Sequence, residues 1–317
     1  MLYLLCAMSL FAHGLHTIYN DLHERSSSVS IEKRSDTKVS QAVGDLKDIE
    51  VTETEKDSLA FERIMSNTRN ALSQEPSMRR ESLILHIARA LKGVPYVAQT
   101  LEVGAHETLV INLRQLDCTT YVENVVAIYL CIKNKDYSYS AYKNHLRRLR
   151  YATGKVSYTA RLHYFTQWIE ENSRMGIVKE IQSPTPPFTS SQSLDINFMS
   201  RHSDLYPRLK NNLKCINEIK LVEKGLNGKV YKYIPKKDIA NTMLFRNTIH
   251  DGDIIAITTS KQGLDMSHIG IAVWHKDGLH LLNASQIHKK VVEEPLLLRD
   301  YMQKHPSQVG IRIIRVC

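Results

Sequence analysis

The chain predicts an α+β fold, with a helical first half packed on an antiparallel sheet. Three observations carry this. Apolar residues recur at helical spacing from about residue 57 to 172, and short Val- and Ile-rich runs dominate the last third. Asp277-Gly278, between two such runs, signals a tight hairpin. Helices first and strands afterwards argue against a wound parallel sheet.

Taken in order, Ala60, Phe61, Ile64, Met65, Ala71 and Leu72 form the apolar stripe of a first helix. A second follows Pro76-Ser77, with Ile84, Ile87, Ala88 and Leu91 on one face and Gly93 at its end. Gly93-Val94-Pro95-Tyr96 breaks that helix, and Thr108 to Leu113 reads as a short strand. Beyond Asp117-Cys118-Thr119-Thr120, residues Val122, Val125, Val126 and Tyr129 return to helical spacing. Asp117 as N-cap, or a capping box of Thr120 with Glu123, would each start this helix. Both leave Cys118 at or just before its first turn. Further helices are expected over about 140–150 and 159–172. Ser183-Pro184-Thr185-Pro186-Pro187 marks a loop, and the chain to about residue 235 reads as irregular. Strands are expected over 253–258, 269–275, 279–284 and 309–316.

The chain has 317 residues, 43% of them apolar, enough for a sizeable core. Its apolar run from Leu2 to Ala12 is too short to span a bilayer and suits the core of a signal peptide, although no Lys or Arg precedes it. Leu5 is too large for a lipidation site at Cys6. Residues 1–20 are therefore expected to be a signal peptide, 21–56 a polar linker or arm, and 57–317 one domain. Within it fall a helical half to about 182, a loop or insertion over about 183–235 and a sheet half beyond. The protein is expected to be exported, periplasmic or in the cell envelope, with membrane association only through an uncleaved leader.

The net charge of +9 would attract a polyanion. With neither zinc-finger spacing nor an aromatic RNA-binding motif, no nucleic-acid partner is expected. The one local basic cluster, Lys143, Arg147, Arg148 and Arg150, reads as a solvated helix face. Past the leader, Cys118, Cys131, Cys215 and Cys317 form no C-x-x-C pair, so neither a disulfide framework nor a metal site is implied. The redox state of Cys131, Cys215 and Cys317 stays open.

A helix N-terminus favours a thiolate, and Cys118 stands at one. Asp117 opposes that unless its carboxylate turns to cap the helix. On local grounds alone the balance favours a small buried thiol. His268 heads an apolar strand, where a loop carbonyl could equally hold its ring.

Two motifs shift that balance. Asp117-Cys118-Thr119-Thr120-Tyr121-Val122-Glu123 and Ser267-His268-Ile269-Gly270-Ile271-Ala272-Val273 resemble the Asp-Cys-Ser-Gly and His-Val-Gly-Ile-Tyr motifs of the NlpC-type cell-wall cysteine peptidases, whose fold is papain-like. More closely, the chain resembles their N-acetylmuramoyl-L-alanine amidase-like branch, through Gly93 to Val97, Thr100 to Glu102, Asn197 to Ser200, Asp204 to Pro207, Asp251 to Ile255, Gly263 to His268 and Gly310 to Arg315. The resemblance spans roughly residues 60–317. It implies an NlpC-type papain-like fold whose helical half packs on an antiparallel sheet or barrel, a Cys118–His268 dyad, and a third polar residue on the following strand. Leu281-Leu282-Asn283-Ala284-Ser285 puts Asn283 at that third position, where histidine is commoner. An asparagine oxygen can fix the imidazole tautomer too. A one-residue register slip would turn Asn283 to the other face, with His280 and His288 as rivals. Tyr96, Asp117 and Ser267 are candidate substrate contacts. No cofactor is implied; the partner is peptidoglycan or muropeptide fragments. The implied bond is the amide between N-acetylmuramic acid and L-Ala. Alternatives are the D-glutamyl–diamino-acid bond and a non-catalytic muropeptide-binding module.

Overall fold

The computed structural model describes residues 49–317. The expected leader and most of the polar arm lie outside them. Among the described residues, no helix is long and apolar enough to cross a membrane.

The chain starts with β1 (Val51–Thr52), which pairs in parallel with β2 (Leu109–Val110). Between them run α1 (Glu55–Gln74) and α2 (Arg80–Ala90). The start of α1 is a capping box. Thr54 N–H donates to Asp57 Oδ2 at 3.0 Å, and Asp57 Oδ1 also accepts the Leu113 N–H at 3.0 Å. With the Arg114 Nε–H also on Asp57 Oδ1 at 3.0 Å, a single buried carboxylate ties the α1 cap to the loop that leads to Cys118.

Next comes α3 (Cys118–Lys133), buried from Cys118 through Ile132. Such a helix carries no polar face and belongs at the centre of a domain. It is flanked by α2 and α4 (Tyr139–Arg150), and α5 (Phe165–Arg174) packs against α4. The helix expected from residue 159 begins at Phe165. Asp265 sets that start: its Oδ2 accepts the Thr166 N–H at 2.7 Å.

The stretch read as irregular is built. After β3 (Val178–Ile181) come β4 (Ser190–Ser193), α6 (Phe198–Arg201), α7 (Leu213–Leu226) and β5 (Val230–Pro235). Only Ile219, Glu223 and Leu226 of α7 are buried, too thin a stripe to register as sequence periodicity. Then follow α8 (Met243–Thr248), β6 (Ile254–Thr259), β7 (Met266–Trp274), β8 (Leu279–Ser285), β9 (Lys290–Glu293), α9 (Leu298–Gln303) and β10 (Gln308–Val316).

Eight strands form one antiparallel sheet in the order β4-β5-β10-β6-β7-β8-β9, with β3 beside β10. It stays open; the barrel that the sequence reading allowed does not close. Both faces are covered. Ile254, Ala256, Ile269, Ile271, Leu282 and Ile314 share a core with α1 to α5, whereas Ile255, Ile257, Ala272, Leu281 and Ile313 share another with α8 and α9. Two buried faces explain why β6 reads Ile-Ile-Ala-Ile-Thr-Thr without polar alternation.

Candidate active site

Asp117 is the N-cap of α3. Its Oδ1 accepts the Thr119 and Thr120 N–H groups at 3.0 and 2.9 Å, while the Asp117 N–H donates to Thr120 Oγ1 at 3.0 Å. The box partner is therefore Thr120 at the third helical position, and Cys118 is the first helical residue. Cys118 is buried in the core that α3 shares with the sheet. Burial pushes the Asp117 carboxyl up to about 7 against the opposing pull of those hydrogen bonds. Its Oδ2 is buried with no hydrogen-bond partner.

Tyr96 is brought alongside. It bridges Leu116 in parallel, with the Val97 N–H on Leu116 O at 3.0 Å, so its segment runs beside the approach to Cys118. On its other side the Tyr96 N–H donates to Lys289 O at 2.9 Å, next to β9.

His268 lies near the start of β7, and α3 packs across β7 and β8 on the face that carries Ile269, Ile271 and Leu282. The pairing Ile271 with Leu282 sets Gly270 opposite Asn283, which leaves His268 and Asn283 as diagonal neighbours on the face that carries Ala272 and Leu281, with the Tyr301 ring 6.4 Å from the His268 ring. They meet: His268 Nε2 and Asn283 Oδ1 are 2.9 Å apart, both side chains buried. Asn283 Nδ2 donates to Leu281 O at 3.3 Å, which orients the amide with its oxygen toward the imidazole. The ring proton therefore sits on Nε2 and the lone pair on Nδ1. Gly270 makes room for this. A Cβ there would stand 2.9 Å from Asn283 Cβ and 2.8 Å from the Leu281 side chain.

The rivals are engaged elsewhere. His280 Nδ1–H meets Glu294 O at 2.9 Å, and His288 Nε2 meets Glu294 Oε2 at 3.1 Å. Ser267 occupies the irregular step in the β6–β7 pairing, its hydroxyl donating to Ile257 O at 3.3 Å.

Three features escaped the sequence reading. Asp265 anchors the start of β7 to α5, as its Oδ1 accepts the Met266 N–H at 2.8 Å while Oδ2 caps Thr166. Gly263, at φ 77°, lets the Asn197 segment dock: the Asn197 and Phe198 N–H groups both donate to Gly263 O, and a Cβ would meet Asn197 Oδ1 at 2.7 Å. The basic cluster of α4 is also not a solvated face. Arg150 is 2% exposed, its Nε–H on Glu123 Oε2 at 2.8 Å and its Nη1–H on Val110 O at 2.6 Å. Arg147 is buried too, donating to Gly154 O. The Arg150 pairing is hidden in the sequence because its partners lie 27 and 40 residues away, on α3 and β2. Among the described residues no group of three or more His, Cys, Asp or Glu is placed to hold a metal.

A family model described as N-acetylmuramoyl-L-alanine amidase-like matches residues 86–311, a span that holds Tyr96, Cys118, His268 and Asn283. Among solved structures, an N-acetylmuramoyl-L-alanine amidase from Bacteroides uniformis is 35% identical, with 82% of this chain and 99% of that one covered and a TM-score of 0.67. A second structure so named, from the same organism, is 38% identical over 74% of this chain and 98% of that one, with a TM-score of 0.68. A protein from Bacteroides fragilis, provisionally called a xylanase, is 38% identical over 72% of this chain and 99% of its own, with a TM-score of 0.67. No curated protein matches the chain.

Proposed function

The chain belongs to the N-acetylmuramoyl-L-alanine amidase-like family, and from that premise we propose that it is a cysteine amidase of the cell envelope. Its substrate is peptidoglycan or its fragments, and the bond cut joins the lactyl carbonyl of N-acetylmuramic acid to the L-Ala nitrogen. The observation that carries this reading is the hydrogen bond between His268 Nε2 and Asn283 Oδ1, in the family-matched segment that also holds the Cys118 helix start. We assign the fold to the papain-like, NlpC type: one helix carrying the thiol, packed on an antiparallel sheet carrying the histidine. Residues 57–317 are taken as the catalytic domain, preceded by a polar arm and an export leader.

His268 Nδ1 takes the thiol proton of Cys118, and Asn283 holds the imidazole in the tautomer this requires. The thiolate attacks the lactyl carbonyl. Asp117 occupies the Thr119 and Thr120 N–H groups, so the Cys118 N–H is the donor assigned to the oxyanion. His268 returns its proton to the departing L-Ala amine as the C–N bond breaks. Water, deprotonated by His268, then opens the thioester and releases the muramic acid carboxylate. Tyr96, Asp117 and Ser267 are assigned to the walls of the substrate groove.

Glycoside cleavage, which the Bacteroides fragilis name suggests for that relative, needs two carboxyls flanking the bond. Here the histidine partner is an amide, and one oxygen of Asp117 is spent on the helix cap. The test is digestion of a muramyl tetrapeptide followed by mass measurement of the products. Intact tetrapeptide beginning with L-Ala is expected; an L-Ala-D-Glu fragment would move the cut to the D-glutamyl bond. Cys118→Ala should abolish release, and undiminished turnover in that variant would overturn the thiol mechanism.

A further inference from the structure

Beside the Cys118 helix start lies a narrow cleft bounded by Leu101, Thr119, Glu123, Arg150, Arg161 and His163, with about 10 Å³ of open space. That is room for one oxygen-sized atom and no more. Arg161 is 3% exposed, and its guanidinium lies over the Tyr158 ring, Cζ 4.8 Å from the centroid. Nη2 pairs with Glu102 and Nε lies 3.4 Å from Glu107 Oε1, while Nη1 is buried with no hydrogen-bond partner. Burial opposes the charge of Arg161, but Glu102 and Glu107 more than offset this and keep it protonated. The other charges facing the cleft are matched, Glu123 by Arg150 at 2.8 Å. Burial holds the His163 ring neutral, and its Nε2–H is committed to Tyr158 O at 2.7 Å. An unpaired buried N–H is costly to keep, more so on a cation. Such a donor is worth its cost where a ligand completes it.

We propose that Arg161 Nη1 is a specificity contact for a carboxylate oxygen of the substrate's peptide, one residue beyond the nucleophile at Thr119. This rests on the amidase reading and adds to it a preference for stems whose second residue keeps its α-carboxylate. A charge-assisted donor in a dry cleft discriminates strongly against an amide, which presents an N–H₂ or a weaker acceptor.

The experiment compares two muramyl tetrapeptides, one with D-glutamate and one with D-isoglutamine at the second position, by kcat/KM. The unaltered enzyme should favour the carboxylate by about tenfold or more, chiefly through KM. Arg161→Lys, checked for folding by circular dichroism, should reduce that preference to near unity. Equal rates on both substrates, or a preference that persists in a folded Arg161→Lys enzyme, overturns the proposal and leaves the amidase reading standing. If neither substrate is cleaved, the amidase reading itself falls. Should Arg161→Lys fail to fold, a crystal structure of Cys118→Ala with the D-glutamate substrate decides. A carboxylate oxygen at hydrogen-bond distance from Nη1 supports the contact; a water alone there removes it.

Discussion

At His268 the proposed chemistry turns on one proton. In the proposed mechanism Asn283 holds it on Nε2, so replacing Asn283 with Ala frees the ring to adopt the other tautomer, with Nδ1 no longer free to take the thiol proton. Turnover should fall about 10- to 100-fold, less than the ~10²–10⁴ loss on removing the base itself, with KM little changed. Steady-state kinetics check this, and an unaltered kcat would dismiss Asn283 as the orienting group. Asp117 makes a second prediction. Burial raises its folded value to about 7 from an ordinary 3.8. Between those values the folded protein holds a proton that the unfolded chain has shed. Stability from this group is thus full below about pH 4, declines as pH rises toward 7, and is flat above. Asp117→Asn keeps an oxygen for the cap and cannot titrate, so its melting temperature should gain on the parent between pH 4 and 7. Parallel profiles for the two proteins would refute the shift. The sequence named Asp117 as a possible cap but held no sign of its burial, which comes from residues packed over the helix start.

Strands and helices impose their own demands. Gly270 faces Asn283 across the β7–β8 pair, and a methyl there collides with both Asn283 and Leu281. Gly270→Ala should cost about 1–3 kcal/mol from overpacking and lose activity beyond what the stability change accounts for, because the amide is pushed off the imidazole. Thermal melts with kinetics at a temperature where the variant is folded separate the two effects. On α4, Arg150→Met would leave the Glu123 carboxylate buried and unpaired, at about 3–5 kcal/mol; the double replacement with Glu123→Met should recover most of that. Chemical denaturation of the two single variants and the double one measures it. Elements with a wide apolar stripe were legible in sequence: α1, α2, α3 and strands β6, β7, β8 and β10 stand where the periodicity put them, within a few residues. Those with thin stripes were not. β4 reads Ser-Ser-Gln-Ser, with no apolar face, and is held through its ladder to β5. Asp265 sets where α5 begins, from a position with no local relation to it.

For the molecule as a whole, long-range pairing decides what a reader of the sequence can and cannot see. Cys118 and His268 stood out only because their motifs resemble those of a known family, and Asn283 because that resemblance puts a third polar residue on the next strand; the hairpin spacing alone left its face open. The Arg161 cleft was invisible: Glu102, Glu107, Thr119 and Arg161 come from separate segments and share no spacing. Global charge, by contrast, is plain from composition. If the proposed function holds, a net +9 should strengthen encounter with an anionic wall polymer without touching the bond-breaking step. Raising salt from about 0.05 to about 0.5 M shortens the screening length several-fold. Retention on intact wall should then drop markedly, whereas kcat on a small muropeptide should hold nearly constant, because the proposed Cys118–His268–Asn283 chemistry is buried and screened little. Cosedimentation with purified wall and a parallel soluble assay across the same salt series test this. A kcat that falls in step with retention would place the salt-sensitive charges inside the catalytic step rather than on the surface that meets the wall.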